Sequence, residues 1–379
     1  MKKRLVLLCF LFVLLFSIGT PMGIAAASQP SLAATSAVLM DYTTGKILYQ
    51  KNAFAHRAPA STTKIITAVV AMEHSELKQS ITVGPHASKI GGSSIYLASG
   101  ERHTLEDLLY GMLLSSGNDA SVAVAEALAG SEAKFAEWMT MKAHSIGAKE
   151  SNFKNSNGLP DQGHYSTAFD LALITRYAMH NPTFADIVKT KKKEIEWPGH
   201  DWNRVLINHN KLLWRYEYAD GVKTGYTREA GNCLVSSATK DGHRLIAVVL
   251  NSKKTYDDSQ GLFQYGFNYY DFLKLATPEE QIGAVNVVEG VKEQVPVLPN
   301  RSLNIVIPKH QVDQLQMNLE LPLTIEAPVE RLQQVGELEV KLGQKTIDRV
   351  PLVSGVAVPK KTFWWKLWDW VRRFVDFNE

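Results

Sequence analysis

The sequence predicts an α+β protein: an antiparallel sheet beside a helical lobe, followed by a small all-β domain and an amphipathic tail helix. Three observations carry this. Strand-like runs flank a central stretch of helical periodicity instead of alternating with it. Residues 276–358 switch to short alternating runs broken by Pro and Gly. The last twenty residues hold four of the chain's eight tryptophans, interleaved with charge.

With 379 residues, 45% of them hydrophobic and 21% charged, the chain is an ordinary globular protein long enough for two or more domains. Residues 1–27 open on Met1, Lys2, Lys3 and Arg4, continue with an apolar run from Leu5 to Ile18 and reach small residues at Ala25–Ala27. That is the layout of a cleavable export signal, with cleavage expected near Ala27; an uncleaved anchor is the alternative, although the apolar run is short for a span. Cleavage removes Lys2, Lys3 and Arg4, and with them the whole formal charge of +3. No basic footprint for nucleic acid remains. It also removes Cys9 and leaves Cys233 alone, so no disulfide can form within the mature chain. Cys233 lies in the strand-like NCLVSSA and is expected to be a small buried hydrophobe.

The catalytic domain is expected over 28–275. Residues 35–50 predict two strands joined by a turn at Thr43–Gly45. From Ser61 onward, Ile65, Ile66, Ala68, Val69 and Met72 recur at helical spacing, so Ser61 begins a helix. Four further helices follow from LEDLLYGMLLSS, ASVAVAEALAG, AKFAEWMTMKAHSIG and AFDLALITRYAMH. Strands return with GVKTGYT, GNCLVSSAT and RLIAVVLN, the last two joined through Asp241-Gly242. A helix from about Asp257 to Leu275 is expected to cover that sheet. Residues 276–358 form the β-rich domain and 359–379 the tail.

Three short words occur in order: Ser-x-x-Lys at Ser61–Lys64, Ser-Gly-Asn at Ser116–Asn118 and Lys-Thr-Gly at Lys223–Gly225. Singly they are weak, since Ser-x-x-Lys starts at Ser61, Ser75, Ser131, Ser151 and Ser237. Only Ser61 stands at the head of an apolar helical run. Residues i and i+3 share a helix face, so Lys64 can reach the Ser61 hydroxyl. A serine needs such a base, because its hydroxyl is a poor nucleophile while it keeps its proton. Burial, a helix N-terminus and a second lysine all depress a lysine pKa. Lys223 is that second lysine, and the expected division is a neutral Lys64 as base and a charged Lys223 facing a substrate anion. Ser116, on a short connection between helices, can relay a proton to the leaving group, and Asn118 can fix substrate or lysine. Read alone, that cluster is only a set of helix caps. Gly225 leaves room for another backbone alongside its strand. The amides of Ser61 and Tyr226 can form an oxyanion hole, with Lys223 and Thr224 toward a carboxylate.

PASTTK, SSGNDAS and DGVKTGYT resemble the three motifs of the low-molecular-mass penicillin-binding proteins, the serine D-alanyl-D-alanine carboxypeptidases. The resemblance covers about residues 33–275, including GGSSIYL and NGLPDQGHYSTAFDLA. It implies a penicillin-binding/β-lactamase-like transpeptidase fold, removal of the terminal D-alanine from peptidoglycan pentapeptides through an acyl-enzyme on Ser61, and acylation by β-lactams. Some members carry His after Lys-Thr-Gly where this chain has Tyr226; a backbone amide role tolerates the exchange. His164 and Asp170 fall in a segment beside the cleft and are read as architecture. The rivals are a β-lactamase and a catalytically silent wall-binding protein. The first is disfavoured because no Glu between 119 and 222 precedes an Asn by four residues, the second because every candidate catalytic residue is present. No cofactor is needed, and the eleven histidines show no zinc-type spacing.

On a helix, Phe363, Trp364, Leu367, Trp368, Trp370, Val371, Phe374, Val375 and Phe377 fall on one half of the tail. Lys366, Asp369, Arg372, Arg373 and Asp376 fall on the other, with Trp365 the misfit. Such a helix lies in a membrane interface. The expected location is therefore the outer face of the cytoplasmic membrane, peripherally anchored by residues 359–379.

Overall fold

A computed structural model describes residues 29–368 of the protein. The expected export segment at 1–27 and the expected tail helix beyond Trp368 lie outside the described residues.

The chain begins with β1 (Ser36–Asp41) and β2 (Ile47–Lys51), then enters a 3-10 turn over Ala60–Thr63 that passes directly into α1 (Lys64–His74). β3 (Ser80–Thr82) and β4 (Arg102–Thr104) pair as a small ribbon before the helical lobe: α2 (Leu105–Leu113), α3 (Asn118–Ala129), α4 (Glu132–Ser145), α5 (Ala168–Ala178) and α6 (Pro182–Lys189). Local chemistry sets these boundaries. Thr104 and Asp107 form a capping box at α2, Ser131 and Thr167 cap α4 and α5, and Asn181 with Pro182 opens α6.

A hairpin of β5 (Lys192–Ile195) and β6 (Arg204–Ile207) and the short α7 (Leu212–Arg215) lead into β7 (Ala219–Thr227), β8 (Gly231–Lys240) and β9 (His243–Leu250). The central sheet runs β2-β1-β9-β8-β7, every neighbour antiparallel. Alternation along each strand divides its side chains between two cores. Val38, Met40, Ile246 and Val248 face the helical lobe, whereas Ala37, Leu39, Leu245, Ala247 and Val249 face α8 (Thr255–Tyr269). A one-residue slip of β1 or β9 would exchange those faces, so burial fixes the register. Each fully buried aliphatic chain contributes about 1.5–3 kcal/mol.

The expected helix over 257–275 is corrected here. It ends at Tyr269, and Tyr270–Ala276 is a strand, β10. A partner far along the chain overrides the local helical pattern: β10 pairs antiparallel with β13 (Leu303–Pro308), the Tyr270 hydroxyl donates to the Leu48 carbonyl (3.0 Å), and Phe272 stacks on His243 at 4.8 Å. β11 (Gly283–Val288) and β12 (Gln294–Pro299) precede β13. After it come β14 (Leu315–Glu320), β15 (Thr324–Glu326), β16 (Gln334–Leu342) and β17 (Lys345–Ser354). The second sheet, β14-β16-β17-β12-β11-β15, wraps a core of Val295, Val297, Val340, Val350 and Leu352. Val306 of β13 reaches the core beneath α8, and Lys46 donates to its carbonyl at 2.6 Å.

Candidate active site

Ser61 lies in the 3-10 turn, one residue after Ala60, whose φ is +48°. Lys64 opens α1 and is fully buried. Its ammonium nitrogen is 3.0 Å from Ser61 Oγ, 2.7 Å from Asn118 Oδ1 and 2.7 Å from the Asn157 carbonyl oxygen. Lys64 donates to the Asn118 oxygen, so this contact orients the Asn118 amide, and its Nδ2 donates in turn to the Gly91 carbonyl (2.7 Å). Of the two tasks expected for Asn118, the structure displays the hold on the lysine. Among the described residues, no carboxylate bonds Lys64. Burial holds its pKa well below the ordinary lysine value, and the charge of Lys223 adds to that, against smaller opposing effects of Asp119 and Glu132. Lys223, also buried, donates to the Thr224 carbonyl (3.0 Å), and burial brings its pKa to about 7.

Ser116 stands between α2 and α3 with φ +63° and is 4% exposed. It lines a cleft of about 270 Å³ together with Ser61, Ser93, His209, Thr224, Gly225, Tyr226 and Cys233. All three sequence words therefore meet at one place. A larger cavity of about 420 Å³, between α1, α5 and α6, is lined by Val69, Met72, Phe184 and their neighbours and contains none of these residues.

β7 is the last strand of its sheet, paired only with β8, so its outer edge is free to border the cleft. Gly225 sits on that strand, where a Cβ would lie 3.0 Å from Ser61 N and 3.1 Å from both Pro59 O and Thr62 N. The backbone that requires this glycine is the turn that carries Ser61. Tyr226 follows with its ring 67% exposed at the rim.

Several supporting residues were not singled out for a role from the sequence, although Asn157, Gly158 and Asp119 lie in segments that carry the resemblance. Asn157 contributes only a carbonyl oxygen. Its loop is held by Glu132 of α4, which accepts from Ser156 N (2.9 Å), Ser156 Oγ (2.6 Å) and Asn157 Nδ2 (3.0 Å). Gly158 presses on the Ser61 turn from the other side: its φ is +87°, and a Cβ there would fall 1.9 Å from the Ala60 carbonyl oxygen. Asp119 ties down the opposite rim, accepting from Ser94 Oγ (2.6 Å), Ile95 N (3.0 Å) and Leu97 N (3.1 Å). His209 borders the cleft with its pKa lowered by burial and by Lys223.

His164 and Asp170 lie outside the cleft lining. Lys154 N donates to His164 Nδ1 (3.1 Å), so Nε2 carries the proton and donates to Thr63 Oγ1 (2.9 Å); burial brings this imidazole's pKa down to about 4. Asp170 accepts from Ser151 Oγ at 2.7 Å, with its pKa raised by burial. Cys233 is 2% exposed and burial raises its thiol to about 11, which leaves it a poor nucleophile. Among the described residues, no group of three or more His, Cys, Asp or Glu side chains is placed to hold a metal.

Residues 24–254 match the family described as D-alanyl-D-alanine carboxypeptidase, and residues 270–360 match the penicillin-binding protein 5 C-terminal domain. The chain is 33% identical over 339 residues to the D-alanyl-D-alanine carboxypeptidase DacF of Bacillus subtilis, covering 87% of each chain. It is 32% identical over 389 residues to DacD of Escherichia coli, covering 98% of this chain and 99% of that one. Among solved structures, penicillin binding protein 5 from Haemophilus influenzae superposes with a TM-score of 0.76 at 30% identity, covering 88% of this chain and 100% of that one.

Proposed function

We propose a residue-level mechanism from the premise that the chain belongs to the D-alanyl-D-alanine carboxypeptidase family. It is a serine-type D-alanyl-D-alanine carboxypeptidase, and Ser61 is its nucleophile. One observation carries this assignment: the Lys64 amine, fully buried and bonded by no carboxylate among the described residues, stands 3.0 Å from Ser61 Oγ. A charged amine in that place would be costly, so the neutral form is favoured and can accept the serine proton.

In this mechanism Ser61 attacks the carbonyl between two D-alanines, and the amides of Ser61 and Tyr226 receive the developing oxyanion. Ser116 passes a proton to the departing D-alanine. Lys223, with Thr224, faces the terminal carboxylate; Gly225 keeps β7 against the nucleophile turn; Asn118 holds Lys64. Water then releases the shortened peptidoglycan stem peptide. β-Lactams place their carbonyl and carboxylate on the same groups and acylate Ser61.

The test is intact-protein mass spectrometry of the mature form after incubation with benzylpenicillin, followed by peptide mapping, alongside release of D-alanine from a pentapeptide. One penicilloyl group on Ser61 is expected. A folded protein that takes no adduct refutes the assignment.

The lysine pair also sets the pH response. As pH rises through the depressed Lys64 pKa the base becomes neutral, so kcat/KM climbs. As pH passes about 7, where burial places Lys223, the free enzyme loses the charge that holds the carboxylate, and kcat/KM falls. A bound carboxylate favours the charged form, so the alkaline limb of kcat lies at higher pH than that of kcat/KM. Rate profiles from pH 5 to 10 check both limbs.

Export and peripheral anchoring complete the proposal. Among the described residues, no helix is long and apolar enough to cross a membrane. The described part of the tail, residues 363–368, is helical, with Phe363 73%, Trp364 75% and Trp368 65% exposed. Trp365, the misfit in the helical reading, lies under Lys361 Nζ at 4.6 Å. These rings suit the headgroup boundary of a bilayer. Truncation after Val358 should abolish cosedimentation with anionic vesicles and leave acylation intact; cosedimentation of the truncated protein would refute the anchor.

A further inference from the structure

The β5–β6 hairpin carries a feature that the mechanism does not use. Its connecting loop sets three rings in a row, each tilted against the next: Trp197 and His200 with centroids 4.5 Å apart, then His200 and Trp202 at 5.1 Å. Trp202 is 63% exposed, and His200 is exposed beside it. The row is anchored from beneath by Arg204, which is 3% exposed and lies 4.6 Å from the Trp197 ring centroid. Arg204 ties the loop to the rim of the catalytic cleft. Its Nη2 donates to the Tyr96 carbonyl (3.0 Å) and pairs with Glu101 (3.1 Å). Tyr96 belongs to the rim segment that Asp119 fixes, and its own ring is 74% exposed.

The hairpin also registers the row against the reacting centre. β6 runs from Arg204 to Ile207, whose carbonyl accepts from Ser115 Oγ (3.3 Å), next to Ser116. Three residues of strand cover about 10 Å. The loop that carries the rings lies directly beyond Arg204, at the far end of this strand from Ser115. Aromatic faces left in water beside a cleft suit a flat ligand with apolar C–H groups, because the ring's negative face attracts the positive edges of those groups. The chair face of a pyranose presents such C–H groups.

We propose that the Trp197–His200–Trp202 row is a subsite for the amino-sugar ring that bears the stem peptide. The enzyme then acts preferentially on glycan-linked stems over free peptides. This rests on the carboxypeptidase reading above. The four residues between the cut bond and the sugar span about 14 Å when extended, which carries the sugar out of the cleft toward its rim. The binding energy belongs to a part of the substrate remote from the reacting carbonyl.

The test compares Trp202→Ala with the unaltered protein on two substrates that share one pentapeptide, one free and one linked to its disaccharide. The expected result is a loss of kcat/KM of about fivefold or more on the disaccharide form, chiefly in KM, with the free peptide and the melting temperature unchanged. Equal kinetics of variant and unaltered protein on the disaccharide form would overturn the proposal, as would an equal loss on both substrates. Failure of the carboxypeptidase reading itself would look different: the unaltered protein would then release D-alanine from neither substrate.

Discussion

Replacing Lys64 with methionine is expected to slow acylation of Ser61 by roughly two to four orders of magnitude while the protein remains folded. Methionine is unbranched and one atom shorter than lysine, stays buried and has no basic nitrogen. Two opposing effects act on stability. The variant no longer buries an amine, which relieves a desolvation cost, but Asn118 Oδ1 and the Asn157 carbonyl lose the donor that now sits 2.7 Å from each. An unsatisfied buried acceptor costs about 1–3 kcal/mol. The two effects partly offset, so the melting temperature should move by only a few degrees. Stopped-flow acylation with a chromogenic cephalosporin and a thermal melt measure both. Ser61→Ala should form no adduct at all, since no oxygen remains to carry it. Near-normal acylation of Lys64→Met would transfer the base role to another group.

The second large effect is expected from a residue that touches no substrate. Gly158→Ala places a methyl group 1.9 Å from the Ala60 carbonyl oxygen and 3.0 Å from Ser61 N, at a backbone φ of +87°. The left-handed conformation alone costs an L-residue about 1–2 kcal/mol. The overlap must then be relieved by moving either the 155–158 loop or the turn that carries Ser61. The first movement withdraws the Asn157 carbonyl from Lys64, and the second displaces the nucleophile. A misplacement of about 1 Å is enough to lose two orders of magnitude in rate. Gly158→Ala should therefore lower both acylation rate and melting temperature, whereas Gly261→Ala on α8, where an added Cβ meets nothing within 4 Å, should lower neither. Equal behaviour of the two variants would contradict this account of the turn.

The reacting groups were legible in the sequence because acyl transfer needs particular side chains, and those side chains recur as short words. Ser61 and Lys64 are joined by helical spacing, and Lys223–Gly225 by their position on one strand. Asn157 could not be found this way. It acts through a carbonyl oxygen that every residue possesses, and only the clamp by Glu132 brings that oxygen to Lys64. Gly225 was legible as a site of close backbone approach, but the sequence pointed to a bound peptide, and the structure places the turn of Ser61 there. The reading of 270–275 as helix failed for a related reason. FLKLA satisfies either periodicity, and the deciding partner, β13, begins at Leu303, far along the chain. Local pattern identifies chemistry and most elements; which distant backbone closes upon them is a property of the packed chain.

α8 ends at Tyr269 and β10 begins at Tyr270, so no flexible connector separates the peptidase core from the β domain. Strand pairing, the Tyr270 bond to Leu48 and the Lys46 bond to Val306 fasten the junction on both sides. The β domain is thus a stiff pillar and not a tether. If the chain stands on its final helix, its cleft is carried at one fixed height above the lipid, and only wall material passing at that height comes within its reach.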